Sequence, residues 1–250
     1  MKRSMKPSMK ISDPRFRIEE PIPLPGDEVH LWQVELERTA EGEADWARIL
    51  CPQERARAAR FHFSKDRKYY TATRAILRII LGAYLGVNPE DLRLRYSQKE
   101  KPALDGAHAG TIEFNVSHSG NIALLAFARG RALGVDVEQI REQADREAIV
   151  RRFFSEHEQQ ELAGLAPEQR CAGFFRCWTR KEAYIKATGD GLSLPLHQFD
   201  VSVRPGDESA LLATRPDASE AERWSLREVE AGVGYAAALC VRGQGWTLKS

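Results

Sequence analysis

Leu124-Leu-Ala-Phe-Ala-Arg-Gly130 has an echo far along the chain in Ala237-Ala-Leu-Cys-Val-Arg-Gly243. Each is a short apolar run stopped by Arg-Gly, long enough for a strand and too short to cross a bilayer. Working outward, each run closes a similar series. The first begins with a strand at Val29–Leu36, rich in β-branched and aromatic residues, and continues with a helical pattern from about Pro52 to Leu85. Strands follow at Leu92–Tyr96, Thr111–Val116 and Ile122–Ala128. The second begins with a strand at Leu133–Glu138, then helices over Ala148–Leu165 and Phe174–Lys186, the latter closed by Gly189 and Gly191. Strands at Phe199–Val203, Trp224–Val229 and Tyr235–Val241 finish it. The chain therefore predicts a duplicated α+β protein joined near Gly130 to Ala132, with a ligand groove between its halves. The expected organisation is a basic disordered tail over 1–14, an N-terminal half over 15–130 and a C-terminal half over 131–250.

Composition narrows the classes of function. The chain has 250 residues, with 37 Lys and Arg against 36 Asp and Glu, so no net field draws it to nucleic acid or to a membrane surface. Cys51, Cys171, Cys177 and Cys240 include no Cys-x-x-Cys pair, which points to a reducing compartment and against zinc. The start, Met1 to Lys10, is basic but lacks the apolar core of a secretory signal. A soluble, cytoplasmic protein is expected.

Chemistry enters with Trp178-Thr-Arg-Lys-Glu-Ala-Tyr-Ile-Lys186. At helical spacing Glu182 shares a stripe with Phe174, Phe175, Trp178 and Ile185, where a bare carboxylate is costly. Two explanations are open: an ion pair with Lys186 one turn on, or a metal ion or proton-transfer role. On the Leu133–Glu138 strand, Asp136 and Glu138 share one side while Val135 and Val137 take the other. Two like charges about 7 Å apart repel unless a cation stands between them. Three carboxylates with water suit Mg²⁺ or Mn²⁺, and the alternative is ordinary pairing with Lys181, Lys186 and nearby arginines. Arg60, Arg67, Arg74 and Arg78 form a basic stripe if their helix is unbroken, either a solvated face or an anion site.

Five motifs in order give a family resemblance: Asn115-Val-Ser-His-Ser-Gly120, Gly134-Val-Asp-Val-Glu138, Arg152-Phe-Phe-Ser155, Trp178 to Lys186, and Gly191-Leu-Ser-Leu-Pro-Leu196. Together they resemble the Sfp-type 4′-phosphopantetheinyl transferases, in the branch with Trp-x-x-Lys-Glu-Ala. The resemblance implies a pseudo-twofold α+β monomer with its active site between the halves. It also implies transfer of the phosphopantetheine arm of coenzyme A to a serine of an apo acyl or peptidyl carrier protein of fatty-acid or secondary metabolism, releasing 3′,5′-ADP. By similarity Asp136, Glu138 and Glu182 hold Mg²⁺ on the pyrophosphate, Glu182 is the proposed base and Lys186 serves the departing phosphate. For coenzyme A it points to Arg57, Lys101, Pro102, Ser117 and His118, with His118 meeting the 3′-phosphate. Glu100 and Glu54 depart from the family pattern, and Arg67 or Arg78 would compensate. The carrier would dock along Arg141 to Phe154. The rival expectation is a non-catalytic descendant that binds coenzyme A or carrier proteins.

Overall fold

The computed structural model describes residues 9–13, 15–96, 102–189, 194–206 and 210–250. Most of the expected tail, Lys101 and Gly191 lie outside the described residues. In chain order the first series is β1 (Lys10–Ile11), β2 (Glu28–Glu35), α1 (Leu36–Thr39), α2 (Glu43–Ile49), α3 (Pro52–Ala58), α4 (Ser64–Leu85), β3 (Leu94–Tyr96), β4 (Pro102–Leu104), β5 (Glu113–Ser119) and β6 (Ile122–Ala128). The second is β7 (Leu133–Gln139), α5 (Arg146–Phe153), α6 (Glu156–Ala163), α7 (Pro167–Thr188), β8 (Phe199–Val201), β9 (Leu211–Thr214), β10 (Trp224–Glu228), β11 (Tyr235–Arg242) and β12 (Thr247–Lys249).

The echo in the sequence is an echo in topology. In one sheet β6 lies antiparallel between β2 and β5, with β1 and β12 against the far edge of β2. In the other, β11 lies antiparallel between β7 and β10. The long helices α4 and α7 have 22 residues each and end on the left-handed glycines Gly86 and Gly189. The sheets stack face to face between the helices, giving helix, sheet, sheet and helix layers. Strand periodicity divides the side chains: Leu125 and Phe127 join the core under α4, while Leu124, Ala126 and Ala128 meet Val135, Val137 and Leu239 between the sheets. That is why Ile122–Ala128 reads as an unbroken apolar run. Phe174, Ile185 and Phe199 make the core under α7.

Two expected helices are each broken in two. The pattern from Pro52 to Leu85 divides into α3 and α4, and that from Ala148 to Leu165 into α5 and α6. The second break has a clear cause. Ser155 Oγ accepts the Glu158 N–H at 3.2 Å and Glu158 Oε2 accepts the Ser155 N–H at 2.9 Å, a capping box that starts a new helix.

Glu158, and Glu54 near the start of α3, are fastened to the long helices. Arg78 donates to Glu54 Oε2 at 2.6 Å, to the Pro89 carbonyl at 3.1 Å and to the Leu92 carbonyl at 3.0 Å. Lys181 Nζ stands 2.8 Å from Glu158 Oε1 and donates to the Leu196 and Phe199 carbonyls, both at 2.7 Å. Arg78 and Lys181 stand equally far before their glycine caps, so each half carries the same buried pin. The expected arginine stripe is thereby corrected. Arg78 is 1 % exposed and committed to Glu54, Arg67 pairs with Glu43 at 2.9 Å, and Arg60 lies beyond the end of α3. Glu54 and Arg78 are committed to each other in the interior, and Arg67 is partnered by Glu43.

A buried pair stripped of one partner leaves an uncompensated charge. Arg78→Met should lower the stability of the full chain by about 3–5 kcal/mol in urea unfolding, and Arg78→Met with Glu54→Leu should recover much of it. A single variant as stable as the parent would contradict the pin.

Candidate active site

The site begins with Gly134. A Cβ at that position would fall into the backbone of Ala183 and Ala187, so α7 rests directly on β7 and only glycine permits the approach. Because α7 lies this close, Glu182 and Lys186 come over the same side of β7 as Asp136 and Glu138. The third wall is β5, whose alternate side chains stitch the two sheets together. Asn115 Oδ1 accepts the Val135 N–H at 2.9 Å, Ser117 Oγ donates to Asp136 Oδ1 at 2.8 Å, and Ser119 Oγ donates to Glu138 Oε2 at 2.7 Å.

Lys186 is shared within this group. Its ammonium lies 2.6 Å from Asp136 Oδ1 and 3.0 Å from Ser117 Oγ, an ion pair with the strand acid. Asp136 Oδ2 is buried with no hydrogen-bond partner. Loss of water pushes the Glu182 carboxyl up to about 7; Lys186 opposes the rise, and the charges of Asp136 and Glu138 add to it. Loss of water also raises Glu138, against the hydrogen bond from Ser119. Asp136, Glu138 and Glu182, with the orphaned Asp136 oxygen, supply the all-oxygen donor chemistry that a hard divalent cation takes. Among the described residues, no three His, Cys, Asp or Glu side chains stand close enough to form a ready metal cage. Asp136 is held by Lys186, the cation present in the structure.

The residues expected to bind coenzyme A fall into two places. Ser117 is buried inside the acid network and is bonded to Asp136 and Lys186. His118, next on β5, is exposed; crowding that removes water from its ring and then the charges of Lys186 and Arg74 hold its pKa below the usual imidazole value. Arg57 lies over the Tyr70 ring at 5.7 Å, beside a cavity of about 560 Å³ lined also by Arg60, Phe61 and Tyr96. Pro102 pairs with Tyr96 across β3 and β4. Arg74 sits 5.4 Å from the Tyr70 ring and 5.7 Å from Tyr96, and its Nη1 is buried without a hydrogen-bond partner. The aromatic pair Tyr70 and Tyr96 carries no sequence signal of a site. Arg74 meets both rings, Arg57 meets Tyr70, and Arg60 lines the same cavity.

Residues 132–240 match the 4'-phosphopantetheinyl transferase superfamily, and residues 39–129 match "4'-phosphopantetheinyl transferase, N-terminal". The chain is 42% identical over 229 residues to the 4'-phosphopantetheinyl transferase HetI of Nostoc sp., covering 91% of this chain and 93% of that protein. The protein belongs to the 4′-phosphopantetheinyl transferase family. This transferase is also 28% identical to Sfp of Bacillus subtilis, over 77% of its own length and 82% of Sfp. The coenzyme A complex of a holo-acyl-carrier-protein synthase type, "Chronobacterium ammoniagenes ACPS-CoA complex", matches 46% of the transferase and 99% of its own chain at 22% identity and a TM-score of 0.37. Among the described residues no helix is long and apolar enough to cross a membrane.

The raised Glu182 pKa has a signed consequence for the metal-free transferase. Its folded value, about 7, exceeds the ordinary 4.5, so its contribution to stability is complete below 4.5 and is lost as the pH rises through 7. Thermal unfolding in chelator should show the parent losing about 1–2 kcal/mol relative to Glu182→Gln between pH 4.5 and 7.5, after allowance for water at the site mouth. Parallel stability curves would contradict the buried-acid reading.

Proposed function

We propose that the protein transfers the 4′-phosphopantetheine arm of coenzyme A to a serine hydroxyl of an apo acyl or peptidyl carrier protein, releasing 3′,5′-ADP in a Mg²⁺-dependent reaction. The observation that carries this reading is the meeting of Asp136, Glu138, Glu182 and Lys186 where β7, β5 and α7 converge, with Asp136 Oδ2 buried and unpartnered. The N-terminal half, 15–130, binds coenzyme A, and the C-terminal half, 131–250, brings the acids and Lys186.

The bonds exchanged are simple. The serine oxygen attacks the phosphorus that carries the pantetheine arm, the new O–P bond forms, and the pyrophosphate bridge to 3′,5′-ADP breaks. The serine proton goes to Glu182; its value near 7 belongs to the metal-free site, and a cation held by the same carboxylate lowers it. Asp136, Glu138 and Glu182 would hold Mg²⁺, which supplies charge stabilisation and alignment of the pyrophosphate when bound. Lys186, whose ammonium lies 2.6 Å from Asp136, would donate to the departing phosphate. Ser117 orients Asp136 from the coenzyme A side.

The nucleotide end fits the cavity beside Arg57. Tyr70 and Tyr96 offer flat apolar faces, Arg57, Arg60 and Arg74 supply positive charge, and His118 feels both Arg74 and Lys186. A neutral His118 donates a hydrogen bond to the 3′-phosphate, and the approach of that dianion raises its pKa again. The family resemblance adds Lys101 and Pro102 as further coenzyme A contacts. Along the edge of the C-terminal half, Arg141, Arg151 and Arg152 are exposed beside the half-buried Ile149, Val150 and Phe153, a basic and partly apolar face suited to an acidic carrier.

Incubation with coenzyme A, Mg²⁺ and an apo carrier should add the phosphopantetheine mass to the carrier and yield 3′,5′-ADP. Glu182→Gln and Lys186→Ala should lower that rate by about 10²-fold or more while the fold and coenzyme A binding persist. Binding of coenzyme A with no mass shift on any of several carriers would instead support the non-catalytic descendant.

A further inference from the structure

Ser119 ends β5 with its hydroxyl committed in both directions. Oγ donates to Glu138 Oε2 at 2.7 Å and accepts the Gln139 N–H at 3.1 Å. Because the backbone N–H fills one lone-pair direction, the hydroxyl proton is aimed at the carboxylate. The turn that carries Ser119 is fastened on every side. Gly120 adopts φ 56°, and a Cβ there would lie 2.6 Å from Tyr235 Oη and 2.7 Å from Gln139 Oε1. The next residue, Asn121, donates its N–H to Tyr235 Oη at 3.0 Å, and its carbonyl accepts the Leu36 N–H at 2.8 Å. The hydroxyl thus stands on a platform tied to β11 of one series and to the end of β2 in the other.

Glu138 needs such a hold more than Asp136 does. Asp136 has a short side chain clasped by Ser117 and Lys186, whereas Glu138 has one more rotatable bond and lies nearer the mouth. A carboxylate free to rotate loses rotamer freedom each time it takes a ligand. We propose that Ser119 is a positioning residue that presets the Glu138 carboxylate for a divalent cation, so that the N-terminal half helps to build the C-terminal half's metal site. This rests on the cation reading of the three acids. The Ser119 hydroxyl is committed to Glu138 and to the Gln139 N–H, and it acts through Glu138. Partners of this kind typically change metal affinity by about 10–100-fold when removed.

The test is Mn²⁺ binding to the full chain with coenzyme A present, followed by loss of the free-ion EPR signal, with circular dichroism to confirm the fold. Ser119→Ala should weaken Mn²⁺ binding about tenfold or more, leave coenzyme A binding without metal unchanged, and raise the Mg²⁺ concentration for half-maximal transfer. Ser119→Thr, which keeps the hydroxyl, should restore Mn²⁺ binding to within about threefold of the parent. Parent-like binding by Ser119→Ala, or equal loss in Ser119→Thr, overturns the assignment. A parent chain that takes up no Mn²⁺ overturns the cation reading itself, and this assignment with it.

Discussion

The close approach of α7 to β7 at Gly134 is the contact on which the rest of the site depends. The strand registers show what the other half does at the same place. Ala128 and Val241 both precede Arg-Gly, and they pair with Val29 and Leu133, so Gly134 corresponds to His30. Counting back from the glycine caps, Ala187 corresponds to Tyr84. In the N-terminal half, His30 Nδ1 and Tyr84 Oη are hydrogen-bonded at 2.8 Å, and two large side chains stand where glycine and alanine let the backbones meet in the other. A small pair lets the helix backbone settle on the strand. A large pair holds its counterpart away.

The same correspondence explains why a duplicated chain has one acid cluster. Asp136 and Glu138 match Trp32 and Val34, while Glu182 and Lys186 match Ile79 and Ala83. Trp32, Val34 and Ile79 belong to the core under α4, and the Ala83 carbonyl accepts the Ile22 N–H at 3.1 Å. Where one half keeps costly buried charge, the other has filled its site with apolar side chains and with the incoming segment. What both retain is the pin from a small helix to a long one, Glu54 with Arg78 and Glu158 with Lys181. The pins hold the helices in place whether or not the helix carries chemistry, and Lys181 adjoins Glu182 for that reason.

Much of this was legible in the sequence because it depends on local periodicity. The alternation on β7 placed Asp136 and Glu138 on one side, the helical stripe placed Glu182 among aromatics, and the paired apolar runs announced the duplication. Ser119 was within a quoted motif, yet its partner lies on a strand of the other sheet, and no periodicity reports a contact between strands joined by side chains alone. The arginine stripe misled for a related reason: Ser64 begins a new helix, and Arg78 is drawn inward by an acid on the preceding one. The partner of Lys186 was likewise decided by tertiary approach, since Asp136 on β7 lies 2.6 Å from it once α7 rests on that strand.

The most direct measurement is anomalous scattering from a crystal of the protein grown with Mn²⁺ and coenzyme A. The expected result is a manganese peak ligated by Asp136, Glu138 and Glu182 and by the coenzyme A pyrophosphate, with the Lys186 ammonium moved from Asp136 to a phosphate oxygen. A peak remote from these acids, or Lys186 still bonded to Asp136 beside bound coenzyme A, would contradict it.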